Sequence, residues 1–166
     1  MKNLKTFRGF ALIEIMVVIM IIGLLSTFAI VAFGGARVKA RDAKRKSDLN
    51  TIGRFISLSC YLPVAGGGEY DLSDLIAELL VSKPELKQYL KSVPIDPRSG
   101  NELKSNYTYI VNDDGDKCVL YGNLENEKEP ITLLNLNTPT PGGGKGILAG
   151  TNTGVNETNI YFQISN

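Results

Sequence analysis

The side chains that could do chemistry are few in this chain of 166 residues. Histidine is absent, and the two cysteines, Cys60 and Cys118, stand far apart. Without imidazole the chain lacks a Ser-His-Asp triad, a Cys-His pair and a histidine-ligated metal. Carboxylates remain, but no pair of them lies in a pattern that suggests a raised pKa. We therefore expect a protein that is not an enzyme and that needs no cofactor.

One carboxylate, Glu14, stands directly before a long apolar run. Residues 15–33 carry no charge, and their polar side chains are only Ser26 and Thr27. As a helix this run spans roughly 28 Å, close to the hydrocarbon thickness of a bilayer. A carboxylate in hydrocarbon costs about 2.5 to 3.5 kcal/mol, so it normally has a partner or a function. The run predicts a transmembrane helix, and Glu14 requires an explanation.

Three interpretations account for this segment. A secretory signal peptide fits the basic start and the small residues near Gly34, but the run exceeds the roughly 7 to 15 apolar residues usual for such a signal. A plain single-pass anchor leaves Glu14 unexplained unless the carboxylate reaches water at the interface. In the third interpretation a basic leader is cut after Gly9. The cut frees an α-amino group on Phe10, four residues before Glu14 and on the same helix face.

The hexapeptide Gly9-Phe10-Ala11-Leu12-Ile13-Glu14, followed by the apolar run, resembles the signal of type IV pilins and type II secretion pseudopilins. The resemblance implies that a prepilin peptidase cuts after Gly9 and that Phe10 becomes the N-methylated amino terminus. It also implies that Glu14 engages the amino terminus of a neighbouring subunit during assembly. The implied partners are further copies in a homo-oligomeric filament, other pilins, the prepilin peptidase, an inner-membrane assembly platform and membrane lipid.

The same resemblance implies a location and leaves one rival open. The precursor would be a single-pass protein of a bacterial or archaeal-type cytoplasmic membrane, and the assembled filament would be extracellular or periplasmic. Type IV pilus subunits and the pseudopilins of type II secretion or DNA uptake share these features. The rival from another class is a membrane-anchored extracytoplasmic binding domain in which Glu14 is incidental.

A basic run follows the apolar one. Residues 37–54 hold seven basic and two acidic groups, and no proline interrupts the chain before Pro63, so one helix is predicted from residue 10 to Leu62. Apolar spacing is poor before Asp48 and becomes regular from Leu49 onward. We expect a solvated basic half followed by a half that packs on a domain. The basic face would contact neighbouring subunits, lipid headgroups or, as the sharpest alternative, DNA phosphates; it would otherwise be a plain solvated face.

The remaining chain predicts an α+β, pilin-like fold, with the long helix packed on a small antiparallel sheet. Short helices are expected at residues 70–80 and 85–90, and strands at 107–111, 118–121 and 131–136, with 112–116 as a hairpin turn. Glu125, Glu127 and Glu129 are expected to form a solvated acidic loop. The expected division is leader 1–9, assembly helix 10–36, basic and amphipathic helix 37–62, head 63–136 and tail 137–166. The tail, rich in Gly, Thr and Asn, is expected to be a flexible extension, with an added edge strand at 160–164.

Two further sites are expected in the head. If the head lies outside the cytoplasm, Cys60 and Cys118 can form a disulfide, which we favour over two buried free thiols. Asp113, Asp114 and Asp116 form a weak calcium candidate, because their spacing lacks the longer EF-hand pattern and Asp-Gly is first of all a turn dipeptide.

Overall fold

The computed structural model describes residues 10–56, 59–90 and 92–166. The chain divides into two compact units, residues 1–37 and residues 38–166. The expected α+β arrangement is confirmed, with a long N-terminal helix and a small antiparallel sheet of five strands. In chain order the elements are α1 (Phe10–Ile56), β1 (Gly68–Asp71), α2 (Leu72–Ser82), a 3-10 helix (Pro84–Gln88), β2 (Thr108–Val111), β3 (Cys118–Asn123), β4 (Gly146–Ala149) and β5 (Ile160–Ser165).

Helix α1 ends earlier than expected. The predicted continuation to Leu62 is wrong, because residues 59–62 have no helical structure. The buried phenol of Tyr109 holds this segment instead. Its hydroxyl accepts from the Tyr61 backbone N–H at 2.9 Å and donates to the Tyr61 carbonyl at 2.9 Å. A tertiary contact thus satisfies backbone groups that a longer helix would have paired internally.

The second helix begins two residues later than predicted. Tyr70 and Asp71 pair with strand β2, so they extend β1 and do not start a helix. The Asp71 carboxylate then accepts from the Ser73 backbone N–H at 2.9 Å, which caps α2. The region predicted as a helix at 85–90 is a 3-10 helix that begins with Pro84.

The sheet has the order β1-β2-β3-β5-β4, and every neighbouring pair is antiparallel. The predicted hairpin is confirmed, since β2 pairs with β3 across the turn at 112–116. The predicted strand at 131–136 is wrong. Two backbone N–H groups there, those of Thr132 and Leu133, donate to the Ile147 carbonyl, but the segment forms no strand and covers the edge of β4.

The expected flexible tail is also wrong, because residues 137–166 supply two of the five strands. The predicted strand near 160–164 exists, but it lies between β3 and β4 and is not an edge strand. The glycine-rich segment before β4 folds back on β5: the buried Gln163 side chain accepts from the Thr140 backbone N–H and donates to the Gly144 carbonyl. Gly142 and Gly144 have φ values of 81° and 80°, where glycine avoids strain.

The core of the second unit lies between the C-terminal part of α1, helix α2 and one face of the sheet. Leu49 and Ile52 of α1 are buried there, as expected from their spacing. Gly122 of β3 lies beneath α1, where an added Cβ would come within 3.2 Å of the Leu49 side chain. The other buried members are mainly Leu72, Leu75, Ile76, Leu79, Tyr107, Tyr109, Leu120 and Phe162.

Candidate assembly site and the ion-pair network of the head

The predicted assembly residues lie at the start of helix α1. Gly9 lies outside the described residues, and Phe10 is the first residue of the helix. Glu14 follows four residues later, one turn further along the helix. Its side chain is exposed and makes no ion pair with any residue in the described part of the chain. Glu14 is thus accessible to a cation from outside its own described contacts.

The apolar run of α1 presents uncovered hydrophobic surface. Its large apolar side chains from Leu12 to Phe28 are each at least 48% exposed. Its two hydroxyls bond within the helix, Ser26 to the Ile22 carbonyl and Thr27 to the Leu24 carbonyl, both at 2.7 Å. In length and composition this helix suffices to cross a bilayer, with a mean hydropathy of 2.8 in its most apolar window. Such a surface is suited to lipid or to neighbouring apolar helices.

The basic run is not the solvated half that was expected. Arg45 is fully buried, and its guanidinium binds Asp96 with two hydrogen bonds of 2.7 and 3.0 Å. The same group reaches Asp42 at 2.7 Å and Glu125 at 2.6 Å. Three carboxylates therefore surround one buried cation, and the network joins α1 to the loops at residues 94–101 and 124–129.

The acidic loop is likewise paired and not simply solvated. Arg41 binds Glu125 through two hydrogen bonds of 2.7 and 2.5 Å, and Lys46 binds Glu129 at 2.6 Å. Glu127 alone of the three glutamates is exposed. Asp42 accepts the backbone N–H groups of Glu125 and Asn126, both at 2.9 Å, so it fixes the start of the loop.

Burial and pairing set the charge states in this network. Burial opposes ionisation of Asp96, but hydrogen bonds from Arg45, the Ser99 backbone and Asn156 outweigh it, and the pKa of Asp96 is held well below its ordinary value. Burial also opposes the charged form of Arg45, and its carboxylate partners outweigh this effect and raise its pKa. The hydrogen bond from Arg41 lowers the pKa of Glu125. All these groups are ionised near neutral pH.

This pairing limits what else the basic run can contact. Arg41, Arg45 and Lys46 are committed to the head, and Lys44 pairs with Asp48 at 2.9 Å. Arg37 and Lys39 are exposed. A stripe of six cations for DNA phosphates is therefore not presented, which removes the observation behind the DNA alternative.

The structure joins Cys60 to Cys118 in a disulfide, with 5.7 Å between the two Cα atoms. Cys118 is the first residue of β3 and is buried, whereas Cys60 follows the helix and is half-buried. The bridge therefore ties the segment after α1 to the centre of the sheet.

The weak calcium candidate lies in the turn between β2 and β3. Asp113, Asp114 and Asp116 are all exposed there, and the Asp116 carboxylate accepts from the Asn112 amide at 2.5 Å. Within the described ranges no group of three or more Asp, Glu, Cys or His side chains is placed to hold a metal ion. The turn itself explains the Asp-Gly pair, since Gly115 has a φ of 70°.

Sequence reasoning missed Asp96 and Asn156. Asp96 accepts from the backbone N–H groups of Arg98 and Ser99 at 2.8 and 2.9 Å, and the Asn156 amide donates to it at 3.0 Å. The Asp-Pro-Arg-Ser turn is a readable signal for the first two bonds, because an aspartate often accepts from N–H groups two and three residues later. No local pattern indicates the Asn156 contact, which spans 60 residues.

Comparison with known proteins agrees with this arrangement. The family model described as the prokaryotic N-terminal methylation motif matches residues 4–30, which include the Gly9-Phe10 junction, Glu14 and most of the apolar run. The type II secretion system core protein G of Vibrio cholerae serotype O1 is 31% identical over 105 residues, covering 58% of this chain and 69% of that protein. No solved structure matches the chain. The methylation motif, the long apolar helix and this relative together show that the chain belongs to the type IV pilin and pseudopilin family.

Proposed function

We propose that this pilin-like subunit assembles into the pseudopilus of a type II secretion system after cleavage behind Gly9 and methylation of Phe10. The observation that carries the proposal is the position of Glu14, an exposed carboxylate one turn after Phe10 at the start of an uncovered apolar helix. The resemblance to a type II secretion core protein favours the pseudopilus over a type IV pilus, which would use the same N-terminal chemistry.

The proposed assembly step follows from charge and hydrophobic burial. A carboxylate in hydrocarbon is costly, and a positive amino terminus on a neighbouring Phe10 is a partner of the opposite charge. The leader would have to be removed first, because that amine exists only after cleavage. Packing of neighbouring helices would then cover the apolar side chains as each subunit leaves the membrane. The head would lie outside the cytoplasm, where the Cys60–Cys118 disulfide is stable.

The first prediction concerns the mature amino terminus. Protein isolated from membranes of the native host is expected to begin at Phe10, with a mass that exceeds the unmodified chain by one methyl group. Intact mass spectrometry and sequencing of the N-terminal peptide measure both. A chain that keeps Met1, or one cut near Gly34, would contradict the proposal and would favour an anchor or a signal peptide.

The second prediction concerns the role of Glu14. The Glu14→Ala variant is expected to be cleaved normally but to enter filaments at least roughly tenfold less, because the neighbour's amine loses its anionic partner. In-cell cross-linking of assembled against membrane-resident subunits measures this, and type II secretion is assayed in the same cells. Ser26→Ala is the matched control in the same helix, since its hydroxyl bonds only within the helix, and it should assemble normally.

Two outcomes would contradict parts of the proposal. Normal assembly of Glu14→Ala would remove the assigned role of this carboxylate. Loss of filaments with unimpaired secretion would retain that role and would point to a type IV pilus instead of a pseudopilus.

A further inference from the structure

A groove crosses the sheet face opposite the helix. It consists of two adjoining cavities of about 600 and 240 Å³, which share three residues, Glu69, Tyr121 and Tyr161. The two tyrosine rings meet edge to face, with 5.9 Å between their centroids. The loops at residues 137–139 and 150–155 form its walls. None of these residues belongs to the assembly helix or to the ion-pair network.

The smaller cavity has the size and lining for one cationic side chain. Its volume lies below the range usual for a whole small-molecule ligand. Glu69 is the one charged residue among those that line it. The two tyrosines, Ile110 and Pro139 supply aromatic and aliphatic surface, which suits the methylene groups of lysine or arginine. Aromatic rings beside a carboxylate attract a cation through both ion pairing and the ring quadrupole.

Glu69 is placed to accept such a cation. One carboxylate oxygen accepts from the Tyr121 hydroxyl at 3.1 Å, which orients the group. Burial raises the pKa of Tyr121 to about 12, so the phenol stays protonated and keeps this bond at neutral pH. Glu69 is exposed and makes no ion pair with any residue among 10–56, 59–90 and 92–166. Its second oxygen is therefore open to a donor from outside the chain.

The larger cavity can hold the residues on either side of that cation. It adds exposed Asp74 and Lys104 at its rim and the backbone of Gly154 along its wall. Asp71 also lines it, but this carboxylate is already saturated by the backbone and hydroxyl of Ser105 and by two further backbone N–H groups. The groove thus combines one acidic pocket with a longer polar trough.

We propose that this groove binds a basic segment of another polypeptide, with one lysine or arginine side chain in the smaller cavity against Glu69. Charge complementarity argues for a basic partner. A second copy of this chain is the poorer candidate, because three cations of its basic run, Arg41, Arg45 and Lys46, are already paired within the head. The site does not depend on filament assembly, so it can be tested on single full-length molecules.

The test uses the full-length protein in neutral detergent micelles and two fluorescein-labelled pentapeptides, Gly-Ser-Arg-Gly-Ser and Gly-Ser-Gln-Gly-Ser. Fluorescence anisotropy is expected to show the arginine peptide binding about fivefold tighter, which corresponds to one partly screened ion pair with an aromatic contact. The preference should fall as salt is raised. Glu69→Gln should abolish the preference.

The matched control is Glu85→Gln, which neutralises an exposed carboxylate outside the groove and should keep the preference. Circular dichroism checks that both variants are folded. Equal binding of the two peptides to the wild-type protein, or a preference that survives in Glu69→Gln, would overturn the proposal. Self-association that Glu69→Gln weakens, without any peptide preference, would also overturn it and would assign the groove to a second copy.

Discussion

Replacement of Arg45 by methionine is expected to lower the free energy of unfolding of the head by about 3 to 5 kcal/mol. The guanidinium is fully buried and lies within 3.0 Å of three carboxylates, those of Asp42, Asp96 and Glu125. Methionine fills much of the same space but leaves the carboxylates without their common cation. A buried ion pair adds little against an apolar substitute for both partners, but removal of one partner alone is strongly destabilising.

The neighbouring residue provides the control for this substitution. Lys44 is one position earlier in α1, is 53% exposed and pairs with Asp48 at the surface. Lys44→Met should change the free energy of unfolding by no more than about 0.5 kcal/mol, as for other exposed pairs. Urea unfolding of both full-length variants, followed by the near-ultraviolet circular dichroism of the tyrosines, measures the difference. Similar losses in the two variants would show that the network contributes no more than a surface pair.

Acidification should reduce the difference between Arg45→Met and the wild type. In the wild-type head the pKa values of Asp96 and Glu125 are depressed, so their stabilisation is complete above the ordinary carboxyl pKa of about 4 and is lost as the pH falls below it. In the variant Asp96 lacks its cation while its burial still favours the neutral form, so protonation costs the folded state less. The free-energy gap should therefore shrink between about pH 5 and pH 3, and a gap that widens would contradict this account.

The N-terminal third could be read from sequence because its signals are local. The uncharged run from Ile15 to Phe33 and the carboxylate at Glu14 need no tertiary structure to be interpreted. The hairpin of β2 and β3 was likewise predictable, since alternating apolar residues flank a short Asp-Gly turn. Leu49 and Ile52 lie in the core because their helical spacing continues on one face.

The rest depended on contacts between residues far apart in the chain. Composition suggests a solvated helix for Arg41 to Lys46 because nothing local indicates partners 51 to 84 residues away. The tail was misread for a similar reason. Its two short apolar runs, near Ile147 and Phe162, are weak signals alone and become strands when they pair with each other and β5 pairs with β3. The groove at Glu69 and Tyr161 exists only once those strands are in place.

Removal of the disulfide is expected to lower the free energy of unfolding by about 4 kcal/mol, because the bridge closes a loop with a sequence separation of 58 residues in the unfolded chain. In the folded head other contacts hold the same segment. The Tyr109 hydroxyl bonds to both backbone groups of Tyr61, next to Cys60. On the sheet side, the Cys118 carbonyl accepts from the Ser165 hydroxyl at 2.7 Å. The folded structure should therefore survive without the bridge, with most of the loss arising from greater freedom of the unfolded chain.

The Cys60→Ala/Cys118→Ala variant tests this expectation against the oxidised wild type in urea. Its near-ultraviolet circular dichroism should match that of the wild type before unfolding, while its midpoint moves to lower urea and does not respond to added dithiothreitol. Dithiothreitol should move the wild-type midpoint to a similar value. A loss below about 1 kcal/mol would show that the bridge adds little to what Tyr109 and Ser165 already hold. A variant with altered tyrosine circular dichroism in the absence of urea would instead show that the disulfide shapes the folded head itself.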